Sequence, residues 1–474
     1  MGECVAGVDC STQSTKVVCV DVESGRVLSS ARAPHRVSRP APGASETEPA
    51  EWEDALAGAL LATRRAREVS AISVAGQQHG LVCLDVGGAP LRPAVLWNDT
   101  RSAGQAGELR ARFGAAWWAS TIGIVPVASF TVTKWAWLRA VEPDVASRVA
   151  AVRLPHDLLV QRLCGRGATD RGDASGTGWW SVPSGAYSAD VLEAVELSAD
   201  LLPEVLGPRE AAGEVTSEAA SRFGLSEGTL VACGTGDNAG AALGLGLDVG
   251  EPAVSLGTSG TAYAVAASPM RDESGVVAGF ADATGRYLPL AATLNATLAV
   301  DRFAAWLGLD RDDAAADSGG VVVAPFLDGE RTPNLPDATG TVIGLTHATT
   351  PGQVLRSVYE GVVVSLLDAV SRLGVADDAP LVLIGGGARG RSWREVVRSL
   401  SGRRVVVPAQ EELVAMGAAA QAAALVTGEA PEEVARRWDV RGGEELEAVP
   451  RDDEVLERHR LARERLLAAM ESPL

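Results

Sequence analysis

The sequence predicts an α/β chain built as two similar halves with a cleft between them. Three features carry that expectation. The chain opens strand, turn, strand, with Cys4–Asp9 and Lys16–Asp21 flanking a hydroxyl-rich turn around Ser11, Thr12, Gln13 and Ser14. The same order returns at Val254-Ser-Leu-Gly257-Thr258-Ser259-Gly260-Thr261, followed by the apolar run Ala262–Ala266. Aligning Thr12 with Thr258 puts the two turns in register, as an internal repeat would. Further on, the apolar run Leu381–Ile384 enters Gly385-Gly-Gly-Ala-Arg389 and then a helical segment, Ser392–Leu400. Strand, glycine turn, helix is the geometry that offers backbone N–H groups and a positive helix end to a phosphate.

The elements follow in order. A third strand, Val27–Ala33, comes after the Ser24-Gly25 turn, and 36–48 is a Pro-, Ser- and Gly-containing loop. Helical periodicity runs over Pro49–Val69, with proline and acids in its first turn. Ala71–Ala75 and Leu81–Asp85 are strands flanking Gly76-Gln77-Gln78-His79-Gly80. Residues 101–206 carry helix signals and many tryptophans and read as an insertion. Thr229–Ala232 is a short buried strand leading to Cys233-Gly-Thr-Gly-Asp237-Asn238. Pro351–Leu373 is an amphipathic helix, Arg403–Pro408 a strand, Leu413–Val426 an Ala-rich helix, and a charged tail helix starts near Arg451. The expected division is 1–248, 249–445 and a tail from 446 to 474.

Bulk properties bound the function. The chain has 474 residues, of which 46% are hydrophobic, enough for more than one core. Its formal net charge of −19 argues against general binding to nucleic acid or anionic membrane. The six cysteines are scattered through apolar runs without a paired Cys motif, which suits reduced thiols in a cytoplasmic protein. No basic leader and no apolar run of about 18 residues is present, so neither a signal peptide nor a membrane span is expected.

Chemistry is suggested by two carboxylates. Asp9 closes the first strand, and Asp237 closes a run of small residues after another. A carboxylate at a strand end among glycines meets a ligand with little steric hindrance. Two such acids suit phosphoryl transfer, one holding a metal and the other taking a proton from an attacking hydroxyl. The Walker-type phosphate loop is absent from the sequence. Among the tryptophans Trp97 is the best candidate for a carbohydrate contact, and the others read as packing. Glu330-Arg331 reads as a structural ion pair or a capping turn.

Together, Asp9-x-Ser-Thr-x-Ser-x-Lys16, Gly234-x-Gly-Asp237-Asn238, Ser255-Leu-Gly-Thr-Ser259, Gly329-Glu-Arg-Thr-Pro333 and Gly385-Gly-Gly-Ala-Arg389 resemble the FGGY carbohydrate kinases. The order and spacing match over about residues 4–440. Gly76-Gln-Gln-His-Gly80, Leu96-Trp-Asn-Asp99-x-Arg101, Leu154-Pro155-x-Asp157, Asp173-Ala-Ser-Gly-Thr177 and Gly344-Leu-Thr-His347 look like segments of the members that phosphorylate D-xylulose. The resemblance implies two ribonuclease H-like (actin-like ATPase) domains and MgATP-dependent phosphorylation of the terminal hydroxyl of D-xylulose. It implies Asp237 as general base, with Gln78, His79 and Asn238 on the sugar. It implies Asp9 beside Mg²⁺. Thr12, Gln13, Ser14 and Lys16 would face the phosphoryl groups from one domain, and Gly257, Thr258 and Ser259 from the other. Gly386, Gly387 and Ala388 would lie near the nucleotide. The implied partners are the sugar and ATP, with no nucleic acid and no membrane; homodimerisation is left open.

Two positions depart from the family's usual pattern. Ser11 stands where glycine is commoner and would narrow the approach to the phosphates; Gln78 stands where methionine is commoner and adds a donor and an acceptor. The competing expectations are a kinase for ribulose or glycerol, or a sugar-responsive actin-like module without transfer activity. Gln78-His79 in place of an Arg-Glu pair counts against glycerol, and retention of Asp237 and both turns counts against a silent module.

Overall fold

The structure is a computed structural model that describes residues 3–335 and 337–471. It divides into two compact units. One comprises Met1–Leu247, Ala266–Leu288 and Glu412–Arg441; the other comprises Asp248–Val265, Pro289–Glu411 and Gly442–Leu474. The tail helix spans Asp453–Glu471, and the end of the expected tail lies outside the described residues.

In the first unit β1 (Cys4–Cys10), β2 (Ser14–Asp21) and β3 (Val27–Pro34) form an antiparallel meander. β4 (Val69–Gly76) lies parallel to β1, and β5 (Leu230–Ala232) lies parallel to β4. The resulting order is β5-β4-β1-β2-β3, with the strand Ala211–Glu214 beyond β5. Every residue of β1 is buried, because this strand has a neighbour on each side and a layer on each face. β3 alternates between exposed and half-buried over most of its length, as an edge strand does. One face is covered by α1 (Pro49–Thr63) and α2 (Pro155–Cys164), whose Trp52, Leu56, Leu60, Leu158 and Leu163 join the core of Ala6, Val8, Ile72 and Val74.

The other face is covered by helices of small residues. The short strand β6 (Thr235–Gly236) leads into α3 (Asp237–Gly244), and a late segment supplies α4 (Leu413–Thr427). α4 carries no polar stripe, since Ala415 to Ala424 are all buried. It approaches its neighbours at backbone distance. A Cβ on Gly7 would fall 1.9 Å from the Ala415 carbonyl oxygen, and one on Gly417 would fall 1.9 Å from that of Gly240. Gln421, 1% exposed, accepts from Ser73 Oγ at 2.8 Å and donates to the Gly234 carbonyl at 3.0 Å.

The second unit repeats the plan. β7 (Pro252–Leu256), β8 (Gly260–Ala264) and β9 (Tyr287–Thr293) are antiparallel. β10 (Leu381–Ile384) is parallel to β7, and β11 (Val405–Pro408) to β10. Each sheet thus has an antiparallel triplet followed by two parallel strands on the side of its first strand, the ribonuclease H-like arrangement that the motifs implied. Among the described residues no single helix is long and apolar enough to cross a membrane.

Local differences from the sequence reading have physical causes. The helix expected over 49–69 stops at Thr63, because Arg64 adopts a left-handed conformation (φ 60°) and returns its N–H to the Leu61 carbonyl. The run 81–85 yields only Val82–Leu84, which pairs with Ala151–Arg153 outside the main sheet.

The close approach of α4 predicts an asymmetric response to added methyl groups. Gly417→Ala should destabilise by about 1–3 kcal/mol, because backbone must move to admit it. Gly107→Ala, in the helix Ala103–Phe113 with nothing within 4 Å, should stabilise by about 0.5–1 kcal/mol. Urea melts of both variants check the pair.

Candidate active site

In the first unit, backbone register brings the two acids to one end of the sheet. Asp9 in β1 pairs with Ala75 in β4, and Ala75 pairs on its other side with Thr235 in β6. Asp237 follows two residues later as the first residue of α3. The extended backbone of Gly236 (φ −73°) makes the junction, where a side chain would meet Gln78: a Cβ there would fall 2.7 Å from Gln78 Cγ.

Asp9 is buried and accepts from Ser11 Oγ at 2.5 Å. Burial pushes its carboxyl up to about 6, against the Ser11 hydrogen bond and the Lys16 charge. Asp237 accepts from its neighbour Asn238 twice, from the backbone N–H at 2.7 Å and from Nδ2 at 2.8 Å. Burial and the negative charge of Asp9 push it up to about 7. The two acids therefore hold more negative charge than their surroundings balance, which suits an arriving cation. Among the described residues no three His, Cys, Asp or Glu side chains converge as a metal cage. A magnesium ion carried by phosphates, needing one or two protein carboxylates, fits this donor set.

The flanking groups converge on the same sheet end. Asn238 Nδ2 also donates to Gln78 Oε1 at 3.2 Å. His79 sits on a left-handed backbone (φ 67°), and its Nδ1 donates to the Gly176 carbonyl at 3.0 Å. That bond makes Nε2 the lone-pair nitrogen of the neutral ring. Phe130 and Phe280 hold the ring, with centroids at 5.0 and 5.5 Å. The turn 11–13 is closed by the Ser11 N–H to the Ser14 carbonyl at 3.0 Å. Thr12 Oγ1 accepts from Trp97 Nε1 at 3.1 Å, so the tryptophan expected at the sugar braces the turn 11–13. Gln13 is exposed and Ser14 buried, while Lys16 Nζ lies 2.8 Å from Glu412 Oε2.

The second unit presents a matching turn. β7 ends at Leu256 and β8 starts at Gly260, leaving Gly257, Thr258 and Ser259 between them. The Gly257 carbonyl accepts from Thr297 N–H (3.1 Å) and Oγ1 (2.8 Å), and the Thr258 carbonyl accepts from Leu298 N–H (3.3 Å). β7 and β10 are in parallel register, Ser255 opposite Ile384, so Gly385–Arg389 leaves its strand beside that turn. Gly386 is exposed and a Cβ there would meet nothing within 4 Å; Gly387 and Ala388 are buried against Leu256 and the Gly385 carbonyl. Glu330 is an acceptor hub, taking the N–H groups of Leu294 (2.5 Å), Asn295 (3.3 Å) and Arg331 (2.7 Å).

The Ser11 hydroxyl, expected from the sequence to narrow the approach to the phosphates, donates to Asp9. One contributor escaped the sequence reading. Gln421 steadies the loop before Asp237 from a helix that reads as core. Only its being the one long polar side chain in an alanine run signals it.

Comparison with known proteins agrees with this geometry. The N-terminal domain model of the FGGY family of carbohydrate kinases matches residues 4–244, and the C-terminal domain model matches 253–426. The chain is similar to a xylulose kinase of Streptomyces rubiginosus, 57% identical over 96% of this chain and 95% of that one. It is also similar to the xylulose kinase of Escherichia coli, 35% identical over 84% and 85% of the two chains. Among solved structures, xylulose kinase from Bifidobacterium adolescentis superposes with a TM-score of 0.84 at 37% identity, covering 98% of this chain and 99% of that one. With both domain models matched in order and the two sheets sharing the expected topology, this chain belongs to the FGGY family of carbohydrate kinases.

Proposed function

We propose that this protein transfers the γ-phosphoryl group of MgATP to the terminal hydroxyl of D-xylulose, giving D-xylulose 5-phosphate and ADP. The observation that carries the reaction type is Asp237, a carboxyl pushed up to about 7 at the end of a sheet it shares with Asp9. The names borne by relatives at 57% and 56% identity support the substrate.

In this reading Asp237 accepts the proton of the terminal hydroxyl. The oxygen's electron pair forms a bond to the γ-phosphorus as the bond to the bridging oxygen of ADP breaks. A base with a pKa near the operating pH is ionised enough to act and basic enough to help. Gln78, His79 and Asn238 orient the sugar, the Phe-held imidazole with its acceptor nitrogen fixed by Gly176. Asp9 holds Mg²⁺, which would neutralise charge on the phosphates, and the Ser11 hydroxyl keeps that carboxylate aligned. The turns Thr12–Ser14 and Gly257–Ser259 offer N–H and hydroxyl groups to phosphate oxygens, with Lys16 adding charge. Gly386 provides an uncovered backbone, flanked by Gly387 and Ala388, against which a nucleotide can lie. We assign the sugar and the catalytic acid to 1–248 and the nucleotide to 249–445, of which Ala266–Leu288 and Glu412–Arg441 pack with the first unit. A coupled ADP-release assay with D-xylulose, D-ribulose and glycerol tests the substrate; turnover faster on glycerol than on D-xylulose would overturn it.

Asp237→Asn should lower kcat by about 10²–10⁴-fold. The parent's kcat/KM should fall about tenfold per pH unit below about 7 and level off above it, because only the ionised Asp237 accepts the proton. Stability should move oppositely. An unfolded Asp titrates at ~3.9, so ionising this desolvated carboxyl costs stability increasingly from there to about 7, and fully above. Asp237→Asn should therefore raise Tm at pH 8, by about 2–4 °C for each kcal/mol relieved, and change it little at pH 4. Thermal melts at both pH values check the sign.

Asp9→Asn should lower kcat and raise the Mg²⁺ concentration needed for half-maximal rate. A magnesium titration at saturating ATP measures this, and a superimposable curve would contradict the role.

A further inference from the structure

A second cluster of charge lies behind the site. His156, at the start of α2, is fully buried. Its Nδ1 lies 2.6 Å from Asp173 Oδ2, and its Nε2 lies 3.3 Å from Asp157 Oδ1 and 3.9 Å from Asp170 Oδ1. The three aspartates are 0–3% exposed, so none is relieved by solvent.

Each aspartate also anchors backbone. Asp157 accepts from the Leu154 N–H at 2.8 Å. Asp170 accepts from the N–H groups of Gly172 and Asp173, both at 2.9 Å, and starts the short helix Arg171–Ser175. The same Asp170 accepts from Thr235 Oγ1 at 2.9 Å, two residues before Asp237. The helix bearing Asp173 runs into Gly176, whose carbonyl takes the His79 Nδ1 proton. The imidazole itself fills the space beside the strand end: a Cβ on Gly234 would fall 2.5 Å from its Cδ2.

We propose that His156 is a positioning residue for sugar phosphorylation: clamped among Asp157, Asp170 and Asp173, it fixes together the segment that orients His79 and the one that presents Asp237. The proposal rests on the reading above that those two side chains face the sugar. Burial opposes a charge on His156, but Asp157, Asp173 and Asp170 outweigh it and push the imidazole up to about 10. It is therefore a cation across the working pH range. Burial pushes Asp173 up to about 7 in spite of His156. The charge of Asp173 also reaches Asp237, which faces Asp9 as well. The groups facing the cluster are Asp157 on α2, Asp170 before the short helix, Asp173 within it, Arg153 and Tyr187, which sense Asp157, and Cys233, which senses Asp170.

His156→Gln keeps a hydrogen-bonding side chain and removes the cation. It should raise the sugar KM at least tenfold and leave the MgATP KM within twofold. Hydrogen exchange should accelerate in 171–178 and 233–238 and stay unchanged in 381–384. A folded His156→Gln protein with parental sugar KM and exchange would overturn the proposal. Should His156→Gln not fold, Thr235→Val cuts only the Asp170 link. A parental kcat with parental exchange at 233–238 in that variant would overturn it equally. If the parent phosphorylates no sugar, the functional reading fails alone, and the exchange comparison still decides whether His156 fixes both segments.

Discussion

The first unit depends on one close approach. α4 lies on β1 and α3 with almost no side chain between the backbones, at Gly7 and at Gly417. Contact at that range demands glycine or alanine along the shared faces, which is why the helix is made so largely of small residues. The same contact sets where α3 begins, and α3 begins with Asp237. Gln421 extends the constraint by holding Ser73 in β4 and the Gly234 carbonyl at once. Packing of small residues thus places a charged one.

The electrostatics complement the packing. Asp9, Asp237, Asp157, Asp170 and Asp173 crowd one end of the sheet and its backing, with His156 as the buried cation of the inner group and Lys16 near the outer one. Desolvation without full compensation raises Asp9, Asp173 and Asp237 alike. Carboxyls raised in this way cost stability when ionised, and such perturbed groups suit the roles proposed for Asp9 and Asp237.

The sheet and its acids were legible because they follow short-range rules. β1 and β2 are built around the apolar runs Val5–Val8 and Val17–Val20, and the turn at Thr258 echoes the one at Thr12. Asp237 stood out by its glycines. What was not legible depends on distant neighbours. Gln421 looks like one polar interruption in a core helix until Ser73 and Gly234 are placed beside it. His156 lies among apolar residues, and only the fold gathers three aspartates around it. Arg64 ends its helix without the glycine that usually marks such an end. The pairing of Lys16 with Glu412 joins the two extremes of the first unit, beyond the reach of any local pattern.

The membership of Glu412–Arg441 in the first unit bears on how the chain is made. Translation delivers β1 to β5 early and α4 only after Asp248–Val265 and Pro289–Glu411 of the second unit have been synthesised. Until then one face of the central strands lacks its cover and presents Val, Ala and Gly backbone to solvent. Nascent chains stalled before α4 would carry a half-layered sheet, a template for wrong association. The late helix completes the first unit, so the first sheet synthesised acquires its second layer near the end of synthesis.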